Sequence, residues 1–463
     1  PFGGVPDGDG DPFGGGTFGQ ETFQPGDSFI DDTALDKSVA GITWHGYFQS
    51  LTGLGVRQEF EDDFVIAYDR LELQFETRIG KLEMVGKPSL EYSVLDDDLE
   101  LGFRELYASR FWKNFDLHVG EKIVTWGITD FYPVVDMINP RDFSRMQNWR
   151  PIDEKLSAPI LQAGLVVGPL TFEAIAIPVL RYSEFQFDSE QPFSLPNAFP
   201  SALRVTLDER EEDTDNAGGG GKVDLQVSDW KISAYGAVVR NPIPSVYISI
   251  PANTQDPKMV FQFERVLMVA SSIQGAIDSI GTILKAEAAY YERIGDDCEG
   301  IKSECFYLRQ TPTAKATVGL LREIAPGLDA HLQLIGELLP DSDRDDAPEP
   351  LIATFVPYFP YQPTFNPIIT LRLEGKWFKD NFRPMVFAYT SFAYQAMFVD
   401  ADLQYFVSDG LSLAGGVFWF QSYAPTDERR EFDYEGAATK GDFTLIGNQE
   451  DSSYVYARVT AWF

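Results

Sequence analysis

Charged side chains recur at every second position in several stretches of this chain. Arg70, Glu72, Glu76 and Arg78 share one parity. So do Lys285 with Glu287, Arg372 with Glu374 and Lys376, and Asp400 with Asp402, while Arg458 sits near the C-terminal end. On an extended backbone, residues two apart fall on one face. The chemistry of such a face is that of a wet, mixed-sign wall for ions and polar solutes. Little in the chain suggests catalysis. A lipase-like site needs serine, histidine and an orienting partner. No Gly-x-Ser-x-Gly is present, Gly410-Leu411-Ser412-Leu413-Ala414 misses by one residue, and His45, His118 and His331 lie on separate strand-like segments. No phosphate loop or metal cluster stands out. Asp7, Asp9 and Asp11 alternate like the first ligands of a calcium loop. Pro12 replaces the expected glycine and no closing Glu follows, so a solvated acidic linker is the expectation, with loop-bound calcium as the alternative. Cys298 and Cys305, the only thiols, bracket one short loop, where a disulfide fits an oxidising compartment.

The composition of the whole chain narrows the class. The 463 residues carry 37 Lys+Arg against 71 Asp+Glu, a net charge of −34. A chain so acidic is repelled by phosphate backbones, which argues against nucleic-acid binding. Hydrophobic content of 44% is too high for a disordered chain. No apolar run is long enough for a membrane-spanning helix. The chain opens at Pro1 rather than Met, so a processed or trimmed protein is expected. Residues 1–40 hold nine glycines, eight acids and one base, Lys37. Such a segment buries too little apolar area to offset its ordering entropy, and it reads as an arm or linker.

From residue 41 to 463 the pattern has period two. Leu71, Leu73 and Phe75 alternate with Glu72, Gln74 and Glu76, and Val399, Ala401 and Leu403 alternate with Asp400, Asp402 and Gln404. These are strands with one greasy and one wet face. Tight turns such as Gly80-Lys81, Gly168-Pro169 and Pro326-Gly327 alternate with long connections, among them 127–158, 183–221, 241–258 and 340–363. That alternation predicts an all-β, antiparallel up-and-down transmembrane barrel of about 18 strands, with about 16 as the alternative. Strand centres run from 47 through 264 and 315 to 458. Closure satisfies both strand edges where no water is available. A barrel this wide cannot be filled by wall side chains alone. Aromatic pairs at strand ends, such as Phe111-Trp112 and Trp377-Phe378, suit the headgroup level. The chain ends on Phe463, preceded at alternate positions by Ala461, Val459 and Ala457. This terminal pattern resembles the signal read by the outer-membrane barrel assembly machinery.

One stretch carries more than architecture. Arg104-Glu105-Leu106-Tyr107 is followed by Gly120, Trp126 and Gly127, then Asp130 and Asp136, then Asn139-Pro140-Arg141-Asp142. This resembles a family of outer-membrane barrels of poorly defined function, often encoded beside resistance-nodulation-division exporters and a partner lipoprotein. Lys122 stands where glutamine is common in that pattern. The resemblance implies a porin-like conduit, with hydrophobic or lipid-like compounds as its cargo. Asn139-Pro140 and Arg141-Asp142 are turn-forming. Trp126, Phe131, Tyr132 and Phe143 are too apolar for a fully exposed loop. The loop therefore either folds inward as a constriction or packs on the barrel rim.

The expectation is a porin-like channel in the outer membrane of a Gram-negative bacterium, with no cofactor and no enzymatic activity. Its surroundings would be outer-membrane lipid and lipopolysaccharide, and acidic loops would favour cations at its mouth. A non-conducting barrel that docks periplasmic or envelope proteins through residues 1–40 is the first alternative. An outer-membrane hydrolase is the second.

Overall fold

The computed structural model describes residues 37–39, 42–56, 64–95, 97–129, 132, 134–144, 155–185, 204–207, 217–251, 258–294, 303–309, 311–339, 364–423 and 453–463. A short strand, β1 (Lys37–Val39), precedes β2 (Ile42–Gly55), β3 (Phe64–Ile79), β4 (Leu82–Ser93), β5 (Asp98–Phe111), β6 (Phe115–Lys122), β7 (Ala158–Val167) and β8 (Leu170–Ile177). Then come β9 (Arg204–Leu207), β10 (Gly218–Val227), β11 (Trp230–Arg240), β12 (Ser245–Pro251), β13 (Lys258–Gln262), β14 (Arg265–Ile277) and β15 (Thr282–Arg293). The chain finishes with β16 (Ser303–Arg309), β17 (Ala314–Ala325), β18 (Leu328–Leu338), β19 (Phe365–Gly375), β20 (Phe382–Ser391), β21 (Ala396–Ser408), β22 (Leu411–Ser422) and β23 (Tyr454–Trp462).

Eighteen of these strands pair with their neighbours into one closed antiparallel barrel. The ring closes where β2 pairs with β23, Tyr47 opposite Trp462 and Gly55 opposite Tyr454. The C-terminal residue extends this seam, because Phe463 and Gly46 exchange both backbone hydrogen bonds at 3.0 Å. Its ring meets Trp44 edge-on at 6.3 Å. Beside it, β1 pairs with Ile42 to Trp44 of β2, so three residues of the N-terminal arm enter the sheet. The rest of residues 1–40 lies outside the described residues.

The alternation read from the sequence appears in the structure as an inside-out burial pattern. On β18, Leu332, Leu334 and Leu338 are exposed, whereas His331, Gln333 and Glu337 are buried. On β23, Val455 and Val459 are exposed and Arg458 and Thr460 buried. Apolar side chains therefore face outward and polar ones inward, as a barrel in lipid requires. Aromatic rings gather at the short-turn end, where Trp112 packs on Phe115 at 5.2 Å and Phe406 on Trp462 at 5.8 Å.

Two strand positions differ from the periodicity reading. The centres placed at 264 and 315 belong to wall strands spanning Arg265–Ile277 and Ala314–Ala325. The connections that precede them are longer than expected because they hold strands of their own. β12, β13, β16 and β9 form a separate four-stranded sheet in the order β16-β12-β13-β9, with β13 and β9 parallel. Glu264 ties its base together. It accepts from Arg293 Nη1 at 3.1 Å and from Thr311, while the Asn241 amide donates to its carbonyl at 2.8 Å. Cys298 lies outside the described residues. Cys305 sits on β16 opposite Ser249, and its side chain is outside them too.

Candidate functional site

The barrel wall places most of the charged residues picked out by spacing on the lumen face and pairs them. Arg70 Nε meets Glu91 Oε2 at 2.7 Å. Glu72 accepts from Tyr47 OH at 3.2 Å and faces Arg104 at 3.6 Å. Glu76 accepts from Gln74 at 2.9 Å. Arg372 binds Glu374 at 2.6 Å. Arg458 Nη2 meets Asp402 Oδ2 at 3.0 Å, and Tyr456 OH donates to Asp402 at 2.6 Å and to Asp400 at 3.3 Å. Lys285 shares the face of Glu287, opposite Gln274 and Gly319. Arg78 is exposed at the end of β3. Lys376 lies one residue beyond β19, where it faces Asp329 at 3.8 Å at the short-turn rim. A buried ion needs such partners, since an unpaired charge there costs several kcal/mol.

The connection between β6 and β7 enters the lumen. Its neck is built by the motif residues. Asn139 is buried, accepts from the Val124 amide at 2.7 Å and donates to the carbonyls of Lys122 at 3.2 Å and Leu156 at 2.8 Å. Asp136 binds Lys155 Nζ at 2.5 Å and Arg141 Nη2 at 3.5 Å, and accepts from the Trp126 amide at 3.3 Å. Pro140 follows, and its carbonyl accepts from the Leu156 amide at 2.9 Å. Asp142 accepts from the Ser144 amide at 2.9 Å and from the Ser144 hydroxyl. Burial pushes the Asp142 carboxyl above its usual range, against the opposing pull of Ser144 and the Arg70 charge. Asp130 and Phe131 lie outside the described residues.

Beyond the neck the loop reaches the opposite wall. Trp126, 1% exposed, donates from its indole to Glu173 on β8 at 2.5 Å and packs on Tyr235 at 5.8 Å. Glu287 on β15 accepts from the Ile128 amide, from the Thr129 amide at 3.2 Å and from the Thr129 hydroxyl at 2.9 Å. Gly127 makes this approach possible. Its φ is 94°, and a Cβ there would sit 2.7 Å from the Glu287 carboxylate. Tyr291 OH donates to the Val134 carbonyl. Tyr132 OH donates to Glu337 on β18, and its ring stacks on Tyr389 of β20 at 6.5 Å. From β6 the ring runs through β7, β8, β10, β11, β14, β15 and β17 before β18, so the loop spans close to a diameter. Val124, Trp126, Val134, Val135, Met137 and Ile138 form a core with the wall from β7 to β15. On the other side of the lumen a second buried cluster includes Phe387, Phe398, Phe418 and Tyr454, with Tyr132 packed against it.

Spacing alone did not single out Glu91, Glu105, Glu173, Lys222, Lys315 or Glu337. Each shares the parity of the lumen face of its strand, and each finds its partner across strands. Lys87 meets Glu105 at 2.8 Å, Lys222 meets Glu173 at 3.4 Å and Lys315 meets Glu337 at 3.3 Å. Among the described residues no cluster of potential ligands could hold a metal ion.

One arrangement has the outline of a hydrolase site. Ser109 Oγ lies 2.6 Å from His118 Nδ1, and His118 Nε2 lies 3.0 Å from Asp116 Oδ2. Ser109 is 3% exposed near the end of β5, with Glu83 on one side and His118 on the other. The backbone around it pairs with β4 and β6 in the two ladders.

Neither a family model nor a curated protein matches the sequence. Among solved structures, the chain is similar to OpdL of Pseudomonas aeruginosa at 11% identity and a TM-score of 0.50, covering 92% of this chain and 99% of that one. It is also similar to OccAB3 of Acinetobacter baumannii, at 8% identity and a TM-score of 0.49, covering 92% and 100%. A third is the outer membrane channel DcaP of Acinetobacter baumannii, at 12% identity and a TM-score of 0.43, covering 92% and 99%. At such identities the likeness is one of fold alone, that of a closed antiparallel β-barrel of 18 strands.

Proposed function

We propose that this chain is an outer-membrane conduit of a Gram-negative bacterium, through which small solutes pass passively, with the loop over 127–158 as its constriction. The observation that carries this reading is a closed barrel of 18 strands whose lumen face carries paired charges and, among the described residues, takes in the loop between β6 and β7. Conduction would run through the lumen past that loop. The resemblance carried by the motif supports hydrophobic compounds as cargo, and the ion pairs at Arg70, Arg372 and Arg458 give the wall its mixed-sign character. The reading is non-enzymatic and needs no cofactor. Phe463 would serve the assembly machinery during insertion, and outer-membrane lipid and lipopolysaccharide would surround the barrel. The motif over 120–142 supports a role beside resistance-nodulation-division exporters. Uptake of size-graded neutral and aromatic solutes into vesicles carrying the purified barrel tests the reading. Passage of small solutes with a size cut-off is expected, and impermeability to all of them contradicts it.

A second reading, a non-conducting anchor, is favoured by β1. This strand brings the arm to the barrel seam at the short-turn rim. Removal of residues 1–36 would then abolish co-purification of envelope partners while leaving the barrel folded. Unchanged recovery removes the reading.

A further inference from the structure

We propose that Glu287 and Glu337 are positioning residues, two wall carboxylates that hold the tip of the inward loop across the lumen and so set the width of the passage. This deepens the conduit reading and rests on it.

The loop is held at two levels by different groups. At the neck, Asn139 and Asp136 bind backbone and cations that belong to the loop itself or to its root strands, and Arg141 and Phe143 also bond to Ser183 and Glu184 just beyond β8. The tip depends on residues remote in sequence. Glu287 offers both carboxylate oxygens. One takes the amides of Ile128 and Thr129, and the other takes the Thr129 hydroxyl. The two successive amides after Gly127 form a small concave donor site, and the positive φ of Gly127 helps aim them. Glu337 accepts from Tyr132 and from Asn366 Nδ2 at 2.8 Å, and lies 3.3 Å from Lys315 Nζ. Lys315 also stands 5.0 Å from the centre of the Tyr132 ring. Both carboxylates are buried, at 3% and 4% exposed, and each strand that bears one is a fixed part of the barrel. Hydrogen bonds to a charged acceptor are the stronger kind. Apolar packing alone would set the loop against the β7–β15 half without fixing how far it projects. The two carboxylates fix that projection, at β15 and at the far wall.

The test compares Glu287→Ala/Glu337→Ala with Glu287→Gln in the full chain, reading single-channel conductance in planar bilayers and amide hydrogen exchange over residues 126–138. A strap across a diameter bisects the lumen, so its release should raise conductance roughly twofold and expose the Ile128 and Thr129 amides to exchange. The glutamine variant keeps an acceptor for the two amides and should stay near the unaltered protein. Gly127→Ala leaves both carboxylates in place but puts a Cβ 2.7 Å from the Glu287 carboxylate at a positive φ, and it should shift conductance and exchange in the same direction as the double variant. A heat-modifiable, folded double variant with unchanged conductance and a still-protected tip overturns the proposal. Should the double variant not fold, Gly127→Ala decides by the same two readouts. A silent unaltered protein would count against the conduit itself, while exchange at the tip would still decide the positioning claim.

Discussion

Asn139 offers the sharpest test of how the constriction is built. The side chain is 3% exposed and makes three hydrogen bonds that join both ends of the loop, to Val124, Lys122 and Leu156. Asn139→Ala removes all three and leaves the partner groups buried. At about 1 kcal/mol net for each bond, the loss is roughly 3 kcal/mol. Since about 1.4 kcal/mol corresponds to a factor of ten, the open population of the loop should rise on the order of a hundredfold. Hydrogen exchange on the detergent-purified barrel reads this directly. Amides over residues 124–142 should exchange faster by that factor, while those of β15 and β18 keep their protection. Unchanged exchange in the loop would refute the clasp. Equal acceleration throughout the barrel would also refute it, because the residue would then be supporting the wall rather than the neck.

Other perturbations follow from the same geometry. Asp142→Asn keeps the Oδ1 acceptor used by both Ser144 donors and removes a buried charge. A carboxyl whose folded value is raised stabilises the docked loop below its unfolded value and loses that contribution as pH rises through the folded one. The asparagine variant should therefore protect the loop better than the unaltered chain at neutral pH, and the two should converge below roughly pH 4, as followed by exchange across a pH series. Arg458→Met strands Asp402, which is 1% exposed, and should cost about 3–5 kcal/mol in denaturant unfolding from vesicles, with Asp402→Asn added to it recovering part of the loss. Phospholipid and ester turnover by the purified protein should not exceed buffer, and Ser109→Ala should leave it there. Turnover that vanishes with Ser109 would revive the hydrolase reading.

The barrel was legible because a lipid-facing wall imposes period two on every strand. Leu332, Leu334 and Leu338 alternate with His331, Gln333 and Glu337 as the two solvents demand. Short turns were legible for the same reason, since the tight connections at Gly80-Lys81 and Pro326-Gly327 interrupt that period cleanly. The outer sheet was not. β9, β12, β13 and β16 come from three different connections, and their pairing obeys no local period that a single stretch could reveal. Lys258–Gln262 looks like wall in sequence and peels off only because those other segments offer it edges. In the loop, the turn residues and the surplus of apolar side chains pointed to a special segment and left its direction open. The direction depends on groups such as Glu287 and Glu337, more than a hundred residues away, whose role follows from ring position and register.

Planar-bilayer recording of the detergent-purified full chain bears most directly on the central claim, that a hydrated passage runs through the lumen past the inward loop. The account predicts discrete, steady conductance steps that are smaller than an unobstructed barrel of 18 strands would give. Protein that inserts, resists denaturation as a folded barrel and passes no current would contradict it.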